Sequence, residues 1–289
     1  MVIAGPTASG KSGDAVAQAE KLRERGHEVA IINADSTQMY ADLRILSARP
    51  SAEDMRGIPH RLYGCWDGSV PGSAADWAAL AKQEIADVHA RGGVPLLVGG
   101  TGLYIRTLLE GIAPIPAIDQ GIREAVRAMP QEEARRALEQ EDPDAARRLA
   151  PADKARTQRA LEVKRSTGRT ITDWQEEQQG GIGDAVTLDA RVLLPPREAL
   201  YQRCDARFMA MMKSGAINEV AALLARGFDP ALPVMRAIGV PDLAACLQGE
   251  QSVDEAIKRA QIATRQYAKR QYTWFTRQPP PDWRRMSGP

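Results

Sequence analysis

Residues 5–12 read Gly5-Pro6-Thr7-Ala8-Ser9-Gly10-Lys11-Ser12, which is a complete P-loop of the form G-x-x-x-x-G-K-[ST]. The backbone N–H groups of such a glycine-rich loop converge on phosphate oxygens, and the helix that follows adds the positive end of its dipole. Lys11 contributes a positive charge, and the hydroxyl of Ser12 can ligate Mg²⁺. The loop therefore predicts a phosphate or pyrophosphate ligand, without specifying ATP.

The sequence on either side of this loop fits an alternation of strands and helices. Residues 2–4 form a short apolar stretch suited to a buried strand, and residues 14–25 can form a helix that Gly26 ends. Further strands are predicted at residues 28–35, 93–100 and 191–194, and a helix with a capping box is predicted at residues 73–89. This alternation predicts an α/β fold, with a P-loop NTPase-like parallel sheet and helices on both of its faces.

The middle of the chain has a different composition. Residues 114–189 show no strand-like run and are rich in Ala, Arg, Glu and Gln, which favours short helices. Breaks between these helices are expected at Pro130, Pro143 and Pro151. We therefore interpret this segment as a helical insertion between a first part of the core, residues 1–113, and a second part, residues 190–289. The second part is expected to contain a basic helix over residues 253–277, ended by a run of prolines.

Composition and charge narrow the range of protein classes. A formal net charge of +1 gives no sign of a strongly basic nucleic-acid-binding protein, although a local basic surface is compatible with it. The three cysteines are scattered without a zinc-binding pattern, which is typical of reduced thiols in the cytoplasm. No apolar run is long enough to cross a bilayer, and the N-terminus lacks the pattern of a secretory signal. We expect a cytoplasmic protein with no membrane contact, and a monomer.

Polar residues follow the second and third predicted strands. Asp35 has three open interpretations, as a ligand of Mg²⁺, as a general base, or as a cap of the next helix. Gln38 could hydrogen-bond a base edge or position Asp35, but taken alone it is more typical of a surface or capping residue. Thr101, which follows two glycines, could donate to a leaving oxygen or cap its own helix. Because the carboxyl ends of parallel strands meet at one edge of a sheet, we expect the P-loop, Asp35 and Thr101 to line one crevice.

Two stretches are rich in cations. Arg156, Arg159, Lys164, Arg165 and Arg169 lie in the insertion, and Lys258, Arg259, Arg265, Lys269, Arg270 and Arg277 lie in the last helix. Contact with the phosphate backbone of a nucleic acid and an ordinary solvated helix face both fit such a pattern. By itself, the stretch in the insertion favours the solvated face, whereas the basic residues of the last helix could face either the phosphate crevice or an RNA.

Together, these motifs resemble those of the tRNA dimethylallyltransferases, also called tRNA isopentenyltransferases. The matching stretches follow the family's order and are residues 5–12, D-S-T-Q-M-Y at 35–40, G-G-T-G-L-Y at 99–104, R-A-L-E-V at 159–163 and T-R-Q-Y-A-K-R-Q at 264–271. The chain departs from the family pattern at residues 46–50, 60–61 and 239–240. It also lacks the zinc-finger extension of eukaryotic members, so the resemblance is to the bacterial type.

The resemblance implies the transfer of a dimethylallyl group from dimethylallyl diphosphate to N6 of adenine 37, beside the anticodon of a tRNA. The diphosphate would bind to Gly5, Pro6, Thr7, Ala8, Ser9, Gly10, Lys11 and Ser12, with Mg²⁺ held by Ser12. The catalytic residues would be Asp35, which accepts the amine proton, together with Thr101 and Lys11. The tRNA would contact Asp35, Ser36, Thr37, Gln38, Thr101, Arg123, Ala155, Arg156, Thr157, Gln158 and Arg159.

Two other functions remain open on the motifs. A small-molecule kinase would consume ATP and use Asp35 as a metal ligand or as a base for a hydroxyl group. That function does not explain a basic helical insertion together with a Gly-Gly-Thr turn. A nucleotide-binding regulatory module would bind without turnover, which does not explain why Asp35, Gln38 and Thr101 are expected to converge on the phosphate site.

Overall fold

The computed structural model of the protein describes residues 1–287. It divides into two compact units. Residues 1–108 and the chain from Gly183 onward form the first, which we call the core unit, and Leu109–Ile182 form the second, the insertion unit. The boundaries of the insertion unit lie a few residues before those expected from the sequence, because two very short strands near its ends pair with each other.

Within residues 1–287, the strands are β1 (Val2–Ala4), β2 (Val29–Asn33), β3 (His60–Arg61), β4 (Val94–Gly99), β5 (Gly111–Ile112), β6 (Gln179–Gly180), β7 (Ala190–Leu193) and β8 (Arg284–Met286). Six of these strands form the sheet of the core unit, in the order β3-β2-β4-β1-β7-β8, and all neighbouring strands are parallel. The two remaining strands, β5 and β6, form an antiparallel pair in the insertion unit. The predicted parallel sheet is therefore present.

The helices in the same range are α1 (Lys11–Glu24), α2 (Ala52–Met55), α3 (Ala74–Ala90), α4 (Gly102–Glu110), α5 (Gln120–Ala128), α6 (Gln131–Glu141), α7 (Pro143–Arg148), α8 (Lys154–Thr167), α9 (Ile171–Gln175), α10 (Arg197–Lys213), α11 (Ala216–Ala225), α12 (Val240–Leu247) and α13 (Val253–Arg277). The helix expected at residues 14–25 is α1, and it begins earlier because the P-loop leads directly into it. The predicted helices at residues 73–89 and 253–277 are confirmed as α3 and α13. Each begins with a capping box, formed by Ser73 with Asp76 and by Ser252 with Glu255.

The central strands are buried along their whole length, which explains their continuous apolar sequences. Ile3, Ile31 and Leu96 pack together with Val16 of α1 in one apolar cluster. The indole of Trp77 on α3 stacks on Tyr104 of α4 and donates its N–H to the carbonyl of Asn33. Packing on α1 and α3 therefore fixes where β1, β2 and β4 end.

Helices α10 to α13 follow β7 in the core unit. Both α10 and α12 pack against α13, and α11 packs against α12. Leu200 and Cys204 of α10 are buried together with Ala268 of α13. Within residues 1–287 no single helix is long and apolar enough to cross a membrane. The pair α10 and α11 meets that test only when the two are taken together across a 67° bend.

The insertion unit has an apolar core of its own. Val126, Leu138 and Leu161, from α5, α6 and α8, are fully buried in it. The helices begin at positions that the prolines and polar caps favour, such as Pro143 at the first turn of α7. Gly180, in a glycine-rich stretch near the end of the unit, pairs with Gly111 in the β5–β6 ladder. A two-residue strand leaves no periodic pattern, so the sequence did not predict this pair.

Candidate active site

Three loops meet at the carboxyl ends of adjacent strands in the core unit. The P-loop follows β1, Asp35 follows β2 closely, and Thr101 follows β4, which lies between the other two strands. The N–H of Thr101 donates to the carbonyl of Ala34 at 3.1 Å, and the N–H of Ser36 donates to Thr101 Oγ1 at 3.0 Å. The structure thus brings the three regions together at one edge of the sheet, although Thr101 does not line the two cavities in whose walls Asp35 lies.

The P-loop has the backbone shape that its glycines allow. Gly10, with φ of 89°, is the left-handed residue that caps α1. Ala8 also has a positive φ, of 61°, which is uncommon for a residue with a Cβ. The ammonium of Lys11 folds back over the loop and donates to the carbonyl of Pro6 at 3.3 Å. The loop therefore closes on itself around a space in which its amides and Lys11 can meet a phosphate.

Lys11 is the group of the loop whose charge is most affected by its surroundings. Burial lowers the pKa of its ammonium to about 8, the negative charge of Asp35 opposes that shift, and the positive charge of Arg207 adds to it. Because burial disfavours the charged form of Lys11, an anion bound beside it would stabilise that form. The charge of Asp35 alone does not offset this effect, so the site suits an added anion such as a diphosphate.

Asp35 is held in place through its backbone. The buried side chain of Asn33 accepts from the N–H of Asp35 at 2.8 Å and donates to its carbonyl at 2.9 Å. One carboxylate oxygen of Asp35 accepts from the N–H of Thr37 at 3.1 Å and so forms a turn ahead of the short helix at Thr37–Met39, whose N-cap is Ser36 and not Asp35. The carboxylate also lines two cavities. The turn uses one oxygen, which leaves room for a chemical role of the group as a whole.

Three buried phenols lie within electrostatic range of Asp35. Burial raises the pKa values of Tyr63, Tyr104 and Tyr267, and the charge of Asp35 raises them further. These hydroxyl groups consequently stay protonated at neutral pH, when they can act only as neutral hydrogen-bonding groups. Tyr267 shares a hydrogen bond with Thr101, which links α13 to the candidate catalytic threonine.

Two cavities adjoin at Asp35. The first has a volume of about 350 Å³ and is lined by the P-loop, Asp35 and Arg207. The second, of about 330 Å³, is lined by apolar side chains such as Phe208 and Met211 and by the polar groups of Asp35, Arg207 and Tyr267. Thr7, Asp35, Ser47 and Arg207 line both cavities. A P-loop cavity and a cavity of mixed polar and apolar lining thus adjoin at Thr7, Asp35, Ser47 and Arg207.

Arg207 was not identified from the sequence. It lies on α10, and its guanidinium donates to the hydroxyl of Thr7 in the P-loop. Burial lowers its pKa, and the negative charge of Asp35 opposes this shift. A signal was available, because Cys204, Phe208 and Met211 form an apolar helix face and Arg207 interrupts it with a charge. A cation on an otherwise apolar face is costly without a function or a partner.

Gln38 has a structural role that the sequence did not specify. Its amide donates to the carbonyls of Ser47 and Ala48, both at 3.0 Å. From the other side, the carboxylate of Glu219 accepts from the N–H groups of Arg44, Ile45 and Leu46 at 2.7 to 2.9 Å. These contacts fix the loop that supplies Ser47 and Ala48 to the wall of the first cavity.

The insertion unit carries the remaining predicted residues. Arg156 and Arg159 are exposed on α8, as is Ala155, while Gln158 and Arg123 are half-buried. Thr157 differs from these neighbours, because its side chain is fully buried and faces the interior of the unit. Helical periodicity explains the difference, since Thr157 shares a face with the buried Ala160 and Leu161. Its side chain is therefore unsuited to a direct contact with RNA.

Comparisons with known proteins agree with this geometry. A family model described as IPP transferase matches residues 38–278. A tRNA dimethylallyltransferase of Erythrobacter litoralis is 63% identical over 285 residues, which cover 99% of this chain and 90% of that protein. The chain belongs to the IPP transferase family. The resemblance found in the motifs is thereby confirmed.

Other members of the IPP transferase family match over similar lengths. The tRNA dimethylallyltransferase of Zymomonas mobilis is 53% identical over 98% of this chain and 89% of its own length. The crystal structure of the tRNA isopentenylpyrophosphate transferase of Bacillus halodurans has a TM-score of 0.70 at 31% identity, over 99% of this chain and 88% of that one. A eukaryotic dimethylallyltransferase, captured acting on tRNA, has a TM-score of 0.77 at 29% identity. The match covers 95% of this chain and 69% of that one. The predicted P-loop NTPase-like fold and bacterial type are confirmed.

Proposed function

We propose that this chain transfers a dimethylallyl group from dimethylallyl diphosphate to N6 of adenine 37, 3′-adjacent to the anticodon of a tRNA. The products are N6-(dimethylallyl)adenosine and pyrophosphate. The supporting observation is that Asp35 and Arg207 line both the P-loop cavity and the cavity of mixed polar and apolar lining beside it. A leaving diphosphate and an attacking amine require two such adjoining spaces, with a base and a cation at their junction.

The P-loop side of the site favours departure of pyrophosphate. In the reaction, the bond between the allylic carbon and the bridging oxygen breaks, so negative charge grows on the diphosphate. Backbone amides at the start of α1, the ammonium of Lys11 and the guanidinium of Arg207 would face this developing charge. Fixed donors and cations that face developing charge are among the largest sources of enzymatic rate enhancement.

On the side of the second cavity, the site would bind and deprotonate the nucleophile, the N6 amine of adenine. As the adenine N6 forms its bond to the allylic carbon, one N6 proton must leave, and the carboxylate of Asp35 is the base that we assign to it. Thr101 lies within a hydrogen bond of the segment that follows Asp35, through Ser36 N–H at 3.0 Å. We assign Thr101 to orienting the nucleotide or the bridging oxygen beside that base.

Mg²⁺ is the metal that this donor set fits. Within residues 1–287 no cluster of three or more His, Cys, Asp or Glu side chains could hold a metal without a substrate. Ser12, at the start of α1, offers an oxygen ligand next to the P-loop cavity, and diphosphate oxygens and water would complete the set. Mg²⁺ bound there would neutralise charge on the diphosphate.

We propose that the acceptor is an extruded base, because base flipping into a pocket is the general solution for enzymes that modify a nucleobase. The second cavity, whose walls include Phe208 and Met211 as well as polar groups, suits an unstacked base. We assign the exposed arginines of the insertion unit, Arg156 and Arg159, to the phosphate backbone of the tRNA. The enzyme is proposed to work in the cytoplasm as a monomer.

The direct test is prenyl transfer to unmodified tRNA. Purified protein receives Mg²⁺ and labelled dimethylallyl diphosphate, and a parallel reaction receives ATP. We expect label in the tRNA, and we expect it to disappear when adenine 37 is replaced by guanine. ADP formation in the parallel reaction, with no label in tRNA, would instead support the small-molecule kinase, which the family membership does not favour.

The activity is expected to fall as pH rises through about 8. The pKa of Lys11 is lowered to about 8, so its ammonium is charged below that pH and neutral above it in the free enzyme. Because only the charged form attracts the diphosphate, kcat/KM for dimethylallyl diphosphate should drop by about tenfold per pH unit on the alkaline side. Lys11→Arg keeps its charge throughout this range. The same alkaline fall in that variant would assign the titration to another group.

Arg156→Ala is expected to weaken tRNA binding and to flatten its salt dependence. Loss of one phosphate contact should reduce the slope of log K against log salt concentration by about 0.7 to 0.9. Arg147→Ala is the matched control. Each of the two arginines pairs with an aspartate three residues earlier, and the arginine side chains are 76% exposed at position 156 and 77% exposed at position 147. Equal slope changes in both variants would point to a general loss of charge and remove Arg156 from the contact surface.

A further inference from the structure

Helix α13 contacts the loop after β4 at three positions on one of its faces. Tyr267 shares a hydrogen bond with Thr101, Gln271 donates to the carbonyl of Gly100, and the ring of Trp274 lies against Gly102. These three residues of α13 are spaced i, i+4 and i+7, which places them on a single face of a helix. The loop that carries Thr101 is therefore supported along its length by α13.

Gln271 differs from its two neighbours, because it also reaches the P-loop. Its Oε1 accepts from the backbone N–H of Thr7 at 2.8 Å, and its Nε2 donates to the carbonyl of Gly100 at 2.7 Å. The side chain is only 6% exposed, so water does not compete for these bonds. Only one orientation of the amide satisfies both partners, since one is a donor and the other an acceptor.

The absence of a side chain at Gly100 leaves the space that the Gln271 amide occupies. A Cβ at Gly100 would lie 2.5 Å from Gln271 Nε2 and 3.0 Å from the carbonyl oxygen of Gly5. The amide of Gln271 thus contacts the backbone of the P-loop and the backbone of the β4 loop, and these two backbones also contact each other. The amide bridges the two loops just beyond the β1–β4 ladder, in which Ala4 pairs with Gly99, and so holds them together.

We propose that Gln271 is a positioning residue that fixes the distance between the diphosphate and the attacking amine. This inference rests on the proposed prenyl transfer, in which the P-loop holds the leaving group and the loop with Thr101 faces the nucleophile. The N–H of Thr7 is taken by Gln271, so this amide serves the spacing of the loops and is withheld from the phosphate. An error of about 1 Å in such spacing can cost about 100-fold in rate, even when both substrates still bind.

The test compares Gln271→Met with Gln266→Met in the full-length chain. Methionine keeps the volume of glutamine and removes both hydrogen bonds. Gln266 lies on the same helix and is exposed, so it controls for the chemistry of the change. We expect kcat of Gln271→Met to fall by about 10- to 100-fold, with KM for each substrate within about threefold of wild type. The Gln266→Met variant should match wild type.

A second measurement separates positioning from loss of folded protein. Titration calorimetry with inorganic pyrophosphate and Mg²⁺ gives the number of competent sites per chain, independently of prenyl transfer. One site per chain in Gln271→Met, together with reduced kcat, supports the proposal. A loss of sites equal to the loss of kcat, or a kcat like that of Gln266→Met, overturns it.

Gln271→Glu covers the case in which the methionine variant does not fold. Its carboxylate keeps an acceptor for the N–H of Thr7 but lacks the donor for the carbonyl of Gly100, so kcat should still fall. Wild-type kcat in a folded Gln271→Glu protein would also overturn the proposal. If wild type itself transfers no prenyl group, the proposed function fails first, and pyrophosphate binding still reports on the P-loop.

Discussion

Asp35→Asn is expected to lower kcat for prenyl transfer by roughly 10²- to 10⁴-fold. Asparagine has the shape of aspartate and can still accept the N–H of Thr37 through its side-chain oxygen, so the backbone of the loop should keep its conformation. It cannot, however, take the proton that leaves N6. Because the lost interaction is made in the transition state, tRNA affinity should change by less than about threefold.

The measurement for Asp35 is a single-turnover rate with saturating tRNA, set beside a separate tRNA binding titration. Asp229→Asn is the matched control, because Asp229 makes the same type of turn, accepting from the N–H two residues ahead at 2.8 Å, on an exposed loop. It should behave as wild type. A large loss of tRNA affinity in Asp35→Asn with an unchanged rate would make Asp35 a binding residue and remove it as the base.

Arg207→Gln should reduce kcat/KM for dimethylallyl diphosphate by about 10²- to 10³-fold. Its guanidinium lines both cavities and donates to Thr7 in the P-loop, so in the proposed reaction it would face the bond that breaks as well as the group that leaves. Glutamine retains hydrogen-bonding capacity but carries no charge. The loss should appear chiefly in kcat, because charge on the leaving oxygen is larger in the transition state than in bound substrate.

Steady-state kinetics with varied dimethylallyl diphosphate test this second result. Arg197→Gln, on the same helix, is the control, since Arg197 is exposed and lies over the ring of Tyr272. Arg207→Lys should recover part of the activity by restoring the charge without the planar geometry of arginine. A raised KM with normal kcat in Arg207→Gln would limit Arg207 to binding of the ground state.

The sequence identified those residues of the site that directly follow a predicted strand. The P-loop, Asp35 and Thr101 each follow a strand within a few residues, and the edge rule for parallel sheets places them together. The same reasoning missed Arg207 and Gln271, which contact Thr7 across 200 and 264 residues of chain. Neither lies in a motif with a known mechanism, and both depend on how α10 and α13 pack against the sheet.

The roles of residues inside the motifs were also left open for a physical reason. A short polar side chain after a strand can cap the next helix, bind a ligand or hold another loop, and the three uses share one sequence pattern. The structure separates them through the partner of each atom. Gln38 holds the carbonyls of Ser47 and Ala48, and Thr101 directs its hydroxyl to Ser36. Burial likewise separates Thr157 from the exposed arginines beside it.

The long separation between Thr7 and its partners has a consequence for synthesis on the ribosome. At roughly 5–20 residues per second, tens of seconds pass between translation of Thr7 and translation of Gln271, 264 residues later. Until residues 190–193 are translated, β1 also lacks its neighbour β7, with which it pairs through Val2 and Ala190. The phosphate loop is thus translated long before the segments that supply its native contacts. A nascent chain that stalls before α13 would carry a complete P-loop motif without the contacts that hold it in shape.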